Sequence, residues 1–215
     1  MIISVMMLLG VSCGFNGASE KSQAKNTEQI DLENLELIRQ QSDRIVCYNL
    51  ADVEKYNDVV IIGTVTERYA TECTFDEGAA HNKYSLSGIY TYYDIKIDKV
   101  LKGDLMAKKN IKFVDYGGEY DGYYYEHDDL KPLNVGEQRI FCMSYYEGKQ
   151  AYSCIGDTHF PVPSKELITA VNRGDSKTEN RIIEDMTQID FGVYNDVVPN
   201  RNLYKELIEK YDFEM

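Results

Sequence analysis

The run Asp58-Val-Val-Ile-Ile-Gly-Thr-Val65 constrains the fold more than any other stretch of this 215-residue chain. β-branched side chains are stiff at χ1 and pack well on a pleated surface, so a continuous run of them reads as a strand buried on both faces. Ile89 to Val100 has a different pattern. Tyr90, Tyr92, Asp94, Lys96 and Asp98 fall on one face, and Ile89, Tyr93, Ile95 and Ile97 on the other. That alternation predicts a second, half-buried strand. Leu101-Lys-Gly-Asp104 then predicts a turn, and Asn110 to Asp115 a third strand. Val135-Gly136-Glu137 turns the chain into a fourth strand, Gln138 to Tyr145, and Lys149 to Ile155 returns antiparallel across Glu147-Gly148.

Helices flank these strands. Leu32, Leu35, Ile38 and Ile45 give a helical period from Ile30 onward, with Asp31 and Asn34 suited to its start, and a short helix is expected over Leu50 to Tyr56. Ser164 is placed to cap a helix carrying Leu167, Ile168 and Val171, which Gly174 stops. Ile182, Ile183 and Met186 predict another helix, and Leu203, Leu207 and Ile208 a last one. Ala70 to Ser87 and Tyr116 to Leu133 are polar and irregular, and read as long connections. The expectation is a mainly β, α+β fold: a five-stranded Greek-key barrel of the oligonucleotide/oligosaccharide-binding (OB) type, covered by N- and C-terminal helices.

Met1 to Ser12 contains no Asp, Glu, Lys or Arg and leads through Leu-Gly-Val-Ser into Cys13. The stretch is too short for a membrane span, which needs about 20 apolar residues. It resembles the signal peptide of a bacterial lipoprotein, although no Lys or Arg precedes its apolar core. That resemblance implies cleavage before Cys13, a diacylglyceryl thioether on the Cys13 sulfur, and a mature chain anchored on the outer side of the cell membrane. Residues 14–28 are small and polar and read as a tether. The expected organisation is therefore signal peptide 1–12, lipidated cysteine and tether 13–28, barrel domain 29–163 and helical extension 164–215.

A net charge of −13 argues against nucleic acid as a partner, because a polyanion would be repelled. It equally disfavours docking of the body on anionic lipid, so membrane attachment rests on Cys13. Beyond Cys13 the chain has Cys47, Cys73, Cys142 and Cys154, an even number that allows three disulfide pairings in an oxidising compartment. Cys142 and Cys154 flank Tyr146-Glu147-Gly148-Lys149 almost symmetrically, so a hairpin would bring them face to face. No Cys-x2-Cys or His-x3-His pair marks a zinc site.

Asp58 to Val65, Tyr93-Asp-Ile-Lys-Ile-Asp-Lys-Val-Leu-Lys-Gly-Asp104, Ile111-Lys-Phe-Val114 and Leu133-Asn-Val-Gly-Glu137 together resemble the netrin-like barrel of the tissue inhibitors of metalloproteinases. They are still more similar to the barrel of Gram-positive lipoproteins. The resemblance covers about half the chain, from Leu50 to Phe160. It implies an OB-type scaffold and, in place of the hairpin pairing, a disulfide between Cys47 and Cys154. The inhibitors chelate zinc through a free N-terminal cysteine, and that feature does not carry over. Here Cys13 would be lipidated and separated from the fold by its tether.

The densest candidate surface is Asp115 to Asp129. Glu119, Asp121, Glu126, Asp128 and Asp129 offer hard oxygen ligands, but their spacing fits no EF-hand loop. Tyr120, Tyr123, Tyr124 and Tyr125 offer rigid amphipathic anchors for a partner. His81, His127 and His159 stand in three different segments and read as surface residues, with no nucleophile motif beside them. No catalytic residue, metal site or cofactor is assigned. The sequence is read as a lipid-anchored binding module for an envelope or extracellular protein or glycan, without catalytic activity. The alternatives are an envelope protease inhibitor acting through barrel loops, or a metal-dependent hydrolase with His127 close to Asp128, Asp129 or Glu119.

Overall fold

The computed structural model describes residues 25–26, 34–40, 47–75, 86–105, 107–127, 131–154, 159–191 and 200–213. The signal-like segment, Cys13, most of the tether, and Ile30, Leu32 and Ile45 lie outside the described residues. The chain is mainly β with added helices. Its strands are β1 (Lys25–Asn26), β2 (Glu36–Gln40), β3 (Val59–Tyr69), β4 (Glu72–Phe75), β5 (Leu86–Lys102), β6 (Asn110–Tyr116), β7 (Gly118–Tyr120), β8 (Tyr123–His127), β9 (Gln138–Tyr146), β10 (Ala151–Ser153) and β11 (His159–Pro161). Its helices are α1 (Leu50–Tyr56), α2 (Lys165–Arg173), α3 (Ser176–Asp185), α4 (Gln188–Phe191) and α5 (Arg201–Lys210).

The main sheet runs β1-β3-β5-β6-β10-β9-β11, with β4 beside β5. β9 also pairs antiparallel with β3, from Val59↔Met143 to Thr64↔Gln138, so the sheet partly closes on itself. Among its pairings β10 and β6 run parallel, and β3, β5 and β6 form an antiparallel meander. A second sheet of three strands has the order β2-β8-β7.

Closure explains why Val59 to Ile62 is apolar without interruption. Ile61 and Val65 point into the partly closed sheet with Ile95, Phe113, Phe141 and Met143. Val60 and Ile62 point the other way, with Ile140, Cys142 and Phe160, and are covered by Leu50 and Val53 of α1, Leu167 of α2, Ile183 of α3 and Leu203, Leu207 and Ile208 of α5. β3 and β9 thus feed two cores on alternate residues, and each fully buried aliphatic or aromatic side chain contributes about 1.5–3 kcal/mol. The helical extension shares one of these cores with the sheet. Its caps are the anticipated ones, with the Ser164 hydroxyl accepting from the Leu167 amide and Gly174 left-handed at φ 65°.

Two readings are corrected. Glu36–Gln40 is a strand rather than part of a helix, paired parallel with β8 from Glu36↔Tyr123 to Gln40↔His127. Ile38 packs on Ile89 and Tyr125, and so few apolar positions fit either period until a partner strand decides. Tyr116 to Leu133 is not an irregular connection, since β7 and β8 form a hairpin across Asp121-Gly122. Both turn residues have positive φ, 52° and 80°, the geometry that the Asp-Gly pair favours in a two-residue hairpin. Within Ala70 to Ser87, β4 adds a short strand against β5.

Candidate functional site

Alternation along β5 places Tyr90 and Tyr92 on the outer side of the main sheet. The antiparallel register sets Tyr90 opposite Tyr116 and Tyr92 opposite Val114 of β6. Ala151 of β10 lies in the same small cluster as Tyr92 and Val114, with Tyr69 and Tyr90 packed against it. The Tyr90 and Tyr116 rings stand 5.1 Å apart at 51°. Tyr146, the last residue of β9, is 41% exposed, and Tyr116 is 40% exposed. Both are large for their exposure, and together they give the sheet an aromatic outer face.

The turn after β9 completes that face. Residues 147–149 make a single 3-10 turn, and Gln150 closes it in the left-handed conformation at φ 51°. The turn carries Lys149 back over the sheet, where its ammonium lies 3.4 Å from the centroid of the Tyr90 ring. At one edge Lys112 lies 5.0 Å from the Tyr69 ring centroid. The Tyr69 hydroxyl is bound to Asp94 at 2.8 Å and to Glu67 at 3.1 Å.

The phenols of this face feel one another. Burial and then the neighbouring Tyr146 raise the Tyr90 phenol above its ordinary value. Burial followed by Tyr90 and Tyr146 does the same to Tyr116. Burial and then Glu72 push Tyr92 up to about 12. All of them are therefore neutral donors at physiological pH. The surface combines flat apolar rings, hydroxyl donors and a lysine held in place by a ring, and it can bury area against a partner with little loss of side-chain entropy.

The tyrosines singled out in the sequence have other surroundings. Tyr124 and Tyr125 are 4% and 1% exposed, so neither ring is presented to a partner. Tyr120 and Tyr123 are half-buried, and the Tyr123 ring packs edge-on to Tyr125 at 6.3 Å. Glu119 and Asp121 are exposed, whereas Glu126 is buried with the Arg39 guanidinium 3.5 Å away. Asp128, Asp129, His81 and the His127 side chain lie outside the described residues, as does any cluster they would form. Among the described residues no group of three His, Cys, Asp or Glu side chains could hold a metal ion.

His159 is not a surface residue. It lies on β11 at 4% exposure, and a three-residue strand gave the sequence no period from which to place it inside. No disulfide joins Cys47, Cys73, Cys142 or Cys154. Cys47 and Cys142 share the core beneath the helices, Cys154 packs toward the inside of the sheet, and Cys73 lies on β4. Burial, with Cys154 and Cys47 next to it, holds the Cys142 thiol well above its ordinary value. The hairpin register pairs Ser153 with Ser144, which sets Cys154 across from Met143 and one step away from Cys142.

The features that sequence reasoning missed are Tyr116 and Tyr146 as a pair and Lys149 above Tyr90. Their signal was the polar face of the Ile89 to Val100 alternation, which already contained Tyr90 and Tyr92. Among the described residues no helix is long and apolar enough to cross a membrane. The chain matches no known protein family, and neither a curated protein nor a solved structure is significantly similar to it.

Proposed function

We propose that this chain is a lipid-anchored extracytoplasmic binding module without catalytic activity of its own, built on a five-stranded OB-type barrel and docking a protein partner on its tyrosine face. The barrel reading is supported by the ring β3-β5-β6-β10-β9, which returns to β3 and includes one parallel pair, β6 with β10. A Greek-key barrel of this class has that arrangement. The anchored address is supported by the uncharged Met1 to Ser12 run ending at Cys13. The observation that carries the binding role is the convergence of Tyr90, Tyr116, Tyr146 and Lys149 on one outer face, because aromatic anchors are where interface energy concentrates. With a net charge of −13 on the chain, a partner surface of basic character is favoured, and association should slow as salt rises.

The test is site-specific photo-crosslinking on intact cells, with the reactive group at Tyr146 and, as control, at Tyr48, which is 74% exposed and outside the face. The reading expects one protein captured from Tyr146 and not from Tyr48, whose purified form loses affinity at least about ten-fold for the Tyr90→Ser/Tyr116→Ser/Tyr146→Ser variant. Equal capture from both positions, or unchanged affinity, rejects it. Capture of an envelope protease whose activity the chain blocks would move the reading to inhibitor. Intact-mass analysis of the protein from its own membrane tests the address: loss of Met1 to Ser12 with a diacylglyceryl adduct supports it, and a full-length unmodified chain overturns it.

A further inference from the structure

The ammonium of Lys149 lies 3.4 Å from the Tyr90 ring centroid, and among the described residues it forms no ion pair. Lys96, Lys99, Lys205 and Lys210 all reach carboxylates. The chain carries 36 acids against 23 lysines and arginines, yet a ring and not a carboxylate holds Lys149. A ring face attracts a cation through its quadrupole, and the attraction grows as water is excluded. Local backbone geometry sets the contact. A Cβ on Gly148 would stand 3.0 Å from Tyr146 Cε2, so the 3-10 turn of residues 147–149 packs closely against the Tyr146 ring. Lys149 leaves that turn half-buried.

More ring surface is offered than one ammonium covers. The Tyr116 ring stands beside Tyr90 with centroids 5.1 Å apart, and Tyr116 and Tyr146 are 40% and 41% exposed. A lysine ammonium is a compact, strongly hydrated charge, whereas a guanidinium is planar, weakly hydrated and stacks on aromatic rings. Arginine is also a residue that interfaces enrich together with tyrosine.

We propose that the Tyr90 ring is a seat for an arginine side chain of the partner, and that Lys149 fills this seat until the arginine displaces it. The inference rests on the tyrosine face being the docking surface. The net charge of −13 draws a basic partner in, and exchanging one cation for another leaves no buried charge unpaired, since the released lysine returns to water. Removing Lys149 therefore tightens binding. A lysine that served the partner directly would weaken binding when removed.

The experiment uses the folded protein with ¹³C-labelled tyrosine in about 0.15 M salt, where charges more than about 8 Å apart are largely screened. The probes are acetyl-Gly-Arg-Gly-amide and its citrulline counterpart, which keeps the shape and lacks the charge. Tyr90 ring resonances are assigned by their loss in Tyr90→Leu. The proposal expects a saturable shift of those resonances with the arginine peptide and at least about five-fold weaker binding of the citrulline peptide. Lys149→Met should bind the arginine peptide about two- to five-fold more tightly, the worth of the vacated contact. Lys112→Met removes an equal charge at the edge of the face, over Tyr69, and should tighten binding by less than about two-fold. No saturable shift at tens of millimolar peptide, equal binding of the citrulline peptide, or Lys149→Met binding no tighter than Lys112→Met would each overturn the proposal. Capture of a partner from Tyr146 alongside any of those three results rejects the arginine seat alone and leaves the docking surface standing.

Discussion

Lys149 Nζ sits 3.4 Å from the ring centroid of Tyr90, joining the turn after β9 to the middle of the sheet. A cation over a phenol ring contributes about 0.5–1 kcal/mol at an exposed site. A double-mutant cycle of Lys149→Met and Tyr90→Leu, read by urea unfolding, should return a coupling of that size. Zero coupling would show that the lysine is not held by the ring, and that the tyrosine face lacks a fixed basic edge.

Tyr125 and Tyr146 predict opposite outcomes for the same change. Tyr125 is 1% exposed between Ile38 and Ile89 and joins the small sheet to the large one. Tyr125→Ala should cost about 3–5 kcal/mol, as large aromatic truncations in cores do. Tyr146→Ala should cost about 1 kcal/mol or less, since its ring is 41% exposed and belongs to no buried core. Equal unfolding midpoints for the two variants would contradict the burial of the β7-β8 hairpin.

Gly63 is where β3 and β5 approach too closely for a side chain. A Cβ there would stand 2.5 Å from Ile95 Cγ2 and 3.3 Å from the Lys96 carbonyl oxygen. Gly63→Ala should therefore destabilise by about 1–3 kcal/mol through overpacking. Combining it with Ile95→Ala should cost less than the sum of the two single changes, because the truncation vacates the contested space. Strict additivity would mean that the strands part elsewhere.

In the main sheet β3, β5, β6, β9 and β10 were legible from their periods and turns, whereas the short β1, β4 and β11 were not. Val59 to Ile62 needed two cores to be apolar on both faces, and Ile89 to Val100 displayed its two faces directly. The helices after Ser164 were legible from the cap, the spacing and the glycine stop. Glu36–Gln40 was not, because its burial depends on β8, a strand distant in sequence. The Asp121-Gly122 hairpin left a signal in its turn residues, but the tyrosines around it resembled an adhesive loop rather than a core. The tyrosine face was half visible: β5 announced Tyr90 and Tyr92, while Tyr116, Tyr146 and Lys149 joined them only through strand pairing. Arg139 and His159 gave no sign, since a buried charge at a strand start and a histidine on a three-residue strand follow no pattern.

His159 makes the fold sensitive to mild acid. Burial first, and then the adjacent Arg139 charge, lower its pKa from 6.5 to about 3. The unfolded chain therefore binds a proton that the folded chain refuses. Stability is fully present above the unfolded value of 6.5 and falls as pH drops from there toward 3, by up to about 1.4 kcal/mol per pH unit. Most carboxylates titrate lower, so the interval between about pH 6.5 and 5 isolates the imidazole. Urea unfolding across that interval should show wild type losing stability steadily. His159→Leu, which has nothing to protonate there, should stay nearly flat. Parallel slopes for the two proteins would mean that the ring takes up its proton in the folded state, and hence that His159 is open to water.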